Sequence, residues 1–245
     1  MEGTDNNTFF IDCFMGGANI LSEIPSKHKI GIEINYYVYS LWNEIKNNIY
    51  HTLAILPHDS SDLAIDDYND IRKSYLSNDK RYTPQLIGFV GSACSYGGAW
   101  FNGYAKFNPN KNEDHIKEAY NGLIKQIKGF KYLSNTTFHC MSYDMLKPSS
   151  YKGVDGVAVP QNTVLICDPP YFSTKGYESD FNHLKFWDWV RKMSSSGIKV
   201  YVTEYEAPSD FKCIWSAKKK DGMGATRKGR KQTEKIEKMF IYSHN

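Results

Sequence analysis

Short apolar runs rich in β-branched and aromatic residues alternate along the chain with stretches whose apolar positions recur every three or four residues. Five runs read as strands: Phe9-Phe10-Ile11-Asp12-Cys13, Lys29-Ile30-Gly31-Ile32-Glu33-Ile34, the weaker Thr136-Thr137-Phe138-His139-Cys140, Thr163-Val164-Leu165-Ile166-Cys167, and 198–203. Their continuous apolar character suits strands covered on both faces, as in a parallel sheet. Helical spacing predicts one helix over 37–53, with Val38, Leu41, Trp42, Ile45 and Ile49 inward. It predicts another over 181–193, with Phe181, Leu184, Trp187, Val190 and Met193 on one face and Asp180 as its cap. Strand–helix–strand alternation points to an α/β, doubly wound sheet. Phe211-Lys212-Cys213-Ile214-Trp215 and Met239-Phe240-Ile241-Tyr242 predict a C-terminal antiparallel hairpin.

The alternation is interrupted over 57–135. This stretch holds five Asp between positions 59 and 70, a segment rich in glycine and aromatics over 88–106, and a lysine-dotted helical pattern over 113–131. The chain therefore divides into a sheet domain, 8–56 with 136–245, and an inserted substrate-recognition subdomain, 57–135.

Composition narrows the class. The 245 residues are 41% hydrophobic, which suits a globular chain. No apolar run approaches the roughly 18 residues that cross a bilayer, and the polar opening does not read as a signal peptide. The five Cys are scattered and never form a C-x-x-C pair, which argues against a disulfide framework and a zinc site. The expectation is a soluble, reduced, cytoplasmic protein with no metal. A formal net charge of +3 does not by itself announce a nucleic-acid partner.

Three motifs carry candidate chemistry. Phe14-Met15-Gly16-Gly17-Ala18-Asn19 follows the first strand. A glycine turn there lets backbone approach a cofactor at the carboxyl edge of the sheet, although a tight strand-to-helix turn alone would also call for it. It lacks the Lys-Ser/Thr pair of a phosphate-binding loop. Glu33 ends the second strand, where a carboxylate can accept both ribose hydroxyls of an adenosyl cofactor. Asp168-Pro169-Pro170-Tyr171 ends the strongest strand. Its prolines donate nothing, so a carboxylate and free carbonyls stand beside an aromatic face. That arrangement suits an exocyclic amine on a flat ring.

These motifs resemble motifs I, II and IV of S-adenosylmethionine-dependent DNA adenine-N6 methyltransferases. The resemblance is nearest to the Dam-like alpha group and its small phage-type enzymes. It continues through 88–106, through Phe181-Asn182-His183 with Phe186-Trp187, and through Thr203-Glu204-Tyr205-Glu206-Ala207-Pro208. It implies a Rossmann-like class I methyltransferase sheet with an inserted target-recognition subdomain, in a phage, prophage or restriction–modification enzyme. It implies that Asp12, Phe14, Gly16, Gly17 and Ala18 line the cofactor's methionine and ribose, and that Asp168 also contacts the cofactor. Glu33 and Ile34 would hold the ribose, and Asp144 with Met145 the adenine. Asp168, the Pro169 carbonyl, Pro170 and Tyr171 would hold a target base flipped out of double-stranded DNA. An RNA adenine methyltransferase, and a methyltransferase-like DNA-binding or subunit protein, stay open as alternatives.

The resemblance also implies DNA contacts at Trp100, Asn102, Tyr104 and Lys106, and a phosphate contact at Lys175. Basic residues cluster over 216–231, as Lys218, Lys219, Lys220, Arg227, Lys228, Arg230 and Lys231 against the single acid Asp221. That loop suits phosphates. The family's motif X, an aromatic-x-Gly-x-Lys segment, has no counterpart in the eight residues before Phe9, and Cys13 stands where the family has Pro. The expectation is weakened cofactor binding by the isolated chain, through truncation, a partner chain that supplies the segment, or loss of binding.

Overall fold

All five apolar runs are strands in the structure, a computed structural model that describes residues 8–108, 112–147, 152–153, 156–157, 162–171, 181–219 and 235–243. They are β1 (Phe9–Asp12), β2 (His28–Glu33), β3 (Thr137–Cys140), β4 (Thr163–Cys167) and β5 (Lys199–Glu204). The expected hairpin is present as β6 (Phe211–Lys219) and β7 (Lys235–Tyr242). The seven form one sheet in the order β3-β2-β1-β4-β5-β7-β6. β1 runs parallel to β2, with Asp12 opposite Gly31, and parallel to β4, with Asp12 opposite Ile166. β4 and β5 are parallel, with Cys167 opposite Val202. β7 is antiparallel to both β5 and β6, and β6 carries an irregularity between Cys213 and Trp215. A doubly wound α/β sheet is thus closed by an antiparallel hairpin. Its strand order reverses between β1 and β4, the switch point outside whose carboxyl ends such sheets bind ligands.

The chain falls into two compact units. The first comprises Met1–Met15, Ser26–Ile32 and Met141–Asn245. Its core is what the apolar runs predict: every residue of β1 and β4 is buried, and Ile11, Leu165 and Val202 are at most 1% exposed. Helix α7 (His183–Ser195) packs into this core with Phe186, Trp187, Trp189, Val190 and Met193. Leu184 is 81% exposed, contrary to the predicted stripe. A helix advances about 300° in three residues, so a strict three-residue spacing drifts about 60° per step and walks off the buried face. Asn182 caps the helix, its side chain accepting from the Lys185 N–H at 2.9 Å. The expected cap Asp180 lies outside the described residues.

The second unit comprises Gly16–Pro25 and Glu33–Cys140. It takes in the insert together with α1 (Asn19–Glu23), α2 (Tyr36–Asn47), α3 (Ile49–Ile55) and β3. The helix expected over 37–53 is broken at Asn48, whose φ of −141° and ψ of 58° are not helical. The insert contributes α4 (Ile65–Ser77), α5 (Pro84–Ser92) and α6 (His115–Gly129). α6 matches the lysine-dotted pattern and is capped by Asp114, whose Oδ1 accepts from the Ile116 and Lys117 N–H groups at 3.1 Å each. α5 runs into the segment rich in glycine and aromatics. Gly88 and Gly91 serve packing there: a β-carbon on Gly88 would sit 2.3 Å from the Tyr37 carbonyl oxygen, and one on Gly91 2.8 Å from Trp100 and Phe101. No helix among the described residues is long and apolar enough to cross a membrane.

Candidate active site

In the first unit, β1, β4 and β5 deliver candidate groups at their carboxyl ends. Asp12 is buried, and its Oδ1 accepts from the Phe14 N–H at 3.1 Å. Such a local bond turns the chain out of the strand. Phe14 is half-buried against the rings of Tyr143, Phe181 and Phe186, with centroids 5.2 to 5.8 Å away. The Tyr143 hydroxyl is pushed up to about 12, first by burial and then by the charge of Asp144. Asp144 and Met145 lie on a short 3-10 turn, Tyr143–Met145, and Met145 is 64% exposed. Asp144 pairs with the Lys185 ammonium of α7, and that bond holds its carboxyl below the usual range. The pair is open to solvent and orients the carboxylate more than it stabilises the fold.

Asp168 emerges exposed from fully buried β4. The Thr203 hydroxyl, on β5, donates to its Oδ1 at 2.5 Å. Pro169 is buried, and Pro170 and Tyr171 are half-buried. The Tyr171 hydroxyl donates to Glu237 of β7, and its ring meets Tyr205 edge-on, with centroids 4.7 Å apart at 73°. Burial raises the Tyr171 hydroxyl far above its ordinary value, and the Glu237 acceptor and the Asp168 charge reinforce the shift. Tyr171 is therefore a neutral phenol that donates, beside a carboxylate and a run of backbone without N–H donors.

In the second unit the glycine turn is built around Glu33. Gly16 has φ 46°, in the left-handed region that glycine adopts without cost. Its N–H donates to Glu33 Oε2 at 2.9 Å, and the Asn35 N–H donates to Oε1 at 2.7 Å. Burial raises the Glu33 carboxyl above its ordinary value, and these backbone bonds oppose the shift. A carboxylate accepts about four bonds, so Glu33 keeps some acceptor capacity beyond the Gly16, Asn35 and Ile34 N–H groups. Gly17 is exposed, Ala18 is buried with φ 54°, and Ile34 is 74% exposed. The Gly17 carbonyl accepts from Gln126 Nε2 of α6 at 2.7 Å. Sequence reading missed this contact, because nothing local distinguishes Gln126 on its helix.

The expected DNA contacts divide. Tyr104 donates its hydroxyl to the Leu63 carbonyl at 2.6 Å and its ring meets Tyr68. Trp100 stacks on Tyr37 and meets Tyr75 and Phe101 edge-on. In the structure both rings are packed within the second unit. Asn102, Lys106 and Lys218 are exposed. Lys219 ends β6, whereas Lys175, Lys220, Arg227, Lys228, Arg230 and Lys231 lie outside the described residues. Among the described residues no group of three or more His, Cys, Asp or Glu could hold a metal ion.

Comparison with curated proteins gave no match. One solved structure, SMU.472, described as a methyltransferase complexed with SAH, shares 9% identity at a TM-score of 0.24. The match covers 73% of this chain and 53% of that one, so this chain spans about half the length of the protein it matches. The family model for D12 class N6 adenine-specific DNA methyltransferases matches residues 2–220, from before β1 into the closing hairpin. By that match over most of its length, the chain belongs to the D12 class N6 adenine-specific DNA methyltransferase family.

Proposed function

We propose that this protein transfers a methyl group from S-adenosylmethionine to N6 of an adenine in DNA, with Asp168, the Pro169 carbonyl and Tyr171 holding the flipped-out base. The observation that carries this reading is the exposed Asp168 carboxylate at the switch-point end of β4, fixed by Thr203 and followed by two residues that can only accept. The family match supports it.

The N6 lone pair of adenine is delocalised into the ring and is a poor nucleophile. Two acceptors on its hydrogens favour a pyramidal nitrogen and concentrate the lone pair on it. Asp168 and the Pro169 carbonyl supply those acceptors, and Asp168 takes the proton that N6 must lose. Tyr171 stacks on the ring and limits its rotation. Orientation and fixed acceptors then contribute most of the rate. A base within a duplex cannot reach such groups, so the nucleotide must leave the stack. Exposed Lys218 and the basic residues of 216–231 bind phosphates in this reading. The motif order, glycine turn before D-P-P-Y with an insert between, supports a Dam-like alpha-group enzyme.

The donor set fits the cofactor. Glu33 retains acceptor capacity for the ribose, Gly17 is open, and Asp144 is an oriented carboxylate. Glu33, Gly16, Gly17 and Phe14 would hold the ribose and methionine, and Asp144 the adenine amine. The cofactor supplies a methyl group activated by its sulfonium centre.

Glu33→Ala is expected to weaken S-adenosylmethionine binding by at least about 100-fold, since two hydrogen bonds to a charged group contribute about 1.5–3 kcal/mol each. The loss should fall on calorimetric Kd rather than on DNA binding. Because burial raises the Glu33 carboxyl, it protonates at higher pH than an exposed glutamate. Affinity should therefore fall as pH drops toward that raised value, before ordinary carboxylates titrate. An affinity independent of pH down to the ordinary glutamate range would contradict this role.

Function is tested by offering methyl-labelled S-adenosylmethionine with DNA or RNA. Label in DNA is expected, and label in RNA alone would replace the reading.

A further inference from the structure

We infer that Thr203 and Glu237, which lie outside the D-P-P-Y motif, are positioning residues that preset it for the incoming base. This rests on the function proposed above. Asp168 has left the strand and is exposed, so its carboxylate could rotate freely. The Thr203 hydroxyl, 2.5 Å from Asp168 Oδ1 and 3.3 Å from the Cys167 carbonyl, pins one carboxylate oxygen, and the Tyr171 hydroxyl also interacts with this carboxylate. Tyr171 is held at both ends. Its hydroxyl donates to Glu237, and its ring meets the Tyr205 ring edge-on.

The fold brings these groups together. Thr203 pairs with Met239 across the β5–β7 ladder, and Glu204 pairs with Lys238, which sets Glu237 beside the chain leaving β5. The closing hairpin therefore braces the motif from a strand 66 positions after Tyr171. A tethered phenol cannot swing its ring, so the stacking face is in place before the base arrives. Preorganisation of this kind lowers the ordering cost when the base binds and is felt in the chemical step.

The test uses the full chain with S-adenosylmethionine: kcat is read on duplex DNA with adenine at the target position, and base flipping on the same duplex with 2-aminopurine there, which lacks the amine that accepts the methyl group. Thr203→Val, which keeps shape and loses the hydroxyl, is expected to lower kcat about tenfold with Kd for S-adenosylmethionine unchanged, and Thr203→Ser to restore it. Glu237→Ala and Tyr171→Phe both remove the bond between these two side chains, and Tyr171→Phe also removes the hydroxyl's interaction with Asp168. Both should lower kcat and the 2-aminopurine signal, and the double variant should be no worse than Tyr171→Phe. Glu237→Gln retains an acceptor and should recover most of the loss, which a variant that merely unfolds would not allow. Thr203→Val and Glu237→Ala within twofold of wild type, or additive effects of Glu237→Ala and Tyr171→Phe, would overturn the inference alone. A wild-type protein that transfers no methyl group would overturn the proposed function and the inference with it.

Discussion

Asp168→Ala is expected to lower kcat by about 10³-fold, the loss typical when one preorganised hydrogen-bonding group is removed from a reacting centre. The fold should survive, because Asp168 is exposed and its Thr203 bond is local to the end of β4. S-Adenosylmethionine binding should fall far less than kcat, since the residues assigned to the ribose are untouched. Without the carboxylate, one N6 hydrogen loses its acceptor and the departing proton loses its base. Asp168→Asn should be nearly as damaging. Its single carbonyl oxygen is drawn to the Thr203 hydroxyl, which turns the amide N–H groups toward an amine that also donates. The measurement is label incorporation into DNA, with circular dichroism and calorimetry as controls. Activity of Asp168→Ala within tenfold of wild type would remove Asp168 from the reacting centre.

Gly88→Ala should give the largest stability loss of any single methyl addition in the second unit, above about 3 kcal/mol, the upper end of ordinary overpacking. The added β-carbon would stand 2.3 Å from the Tyr37 carbonyl oxygen, 2.8 Å from its carbon and 3.4 Å from the Leu41 β-carbon. The obstruction is mostly backbone, so no rotamer change relieves it and α5 must move away from α2. Alanine's helix propensity, better than glycine's by about 1 kcal/mol, is too small to compensate. Gly122→Ala is the matched control. Gly122 also lies within a helix, α6, and a β-carbon there meets nothing within 4 Å. It should stabilise by about 1 kcal/mol. Urea denaturation of both variants checks the pair, and equal effects of the same sign would contradict the packing argument.

The sheet was legible because β1, β2 and β4 are buried runs and β5 alternates buried with less buried positions, patterns that are local. The candidate site was legible to the extent that its residues end or directly follow those strands: Asp12 at the end of β1 and Phe14 after it, Glu33 at the end of β2, Asp168 to Tyr171 after β4. What escaped has long-range causes. Gly88 and Gly91 stand in a glycine-rich segment, and only the fold sets Tyr37, Trp100 and Phe101 against them. Trp100 and Tyr104 are amphipathic, and the chain alone does not tell a ring that wedges into DNA from one that packs on Tyr37 or Tyr68. Gln126 and Glu237 touch Gly17 and Tyr171 across 109 and 66 positions, and no local pattern marks either one. Leu184 was misplaced for a simpler reason, since a three-residue spacing imitates a helix face only briefly.

The account rests on the base that receives the methyl group. Duplex DNA incubated with the purified protein and S-adenosylmethionine, digested to nucleosides and analysed by mass spectrometry, should yield N6-methyladenine, and the Asp168→Ala protein should yield none above background. N4-methylcytosine in its place, or no methylated nucleoside from the wild-type protein, would contradict the account.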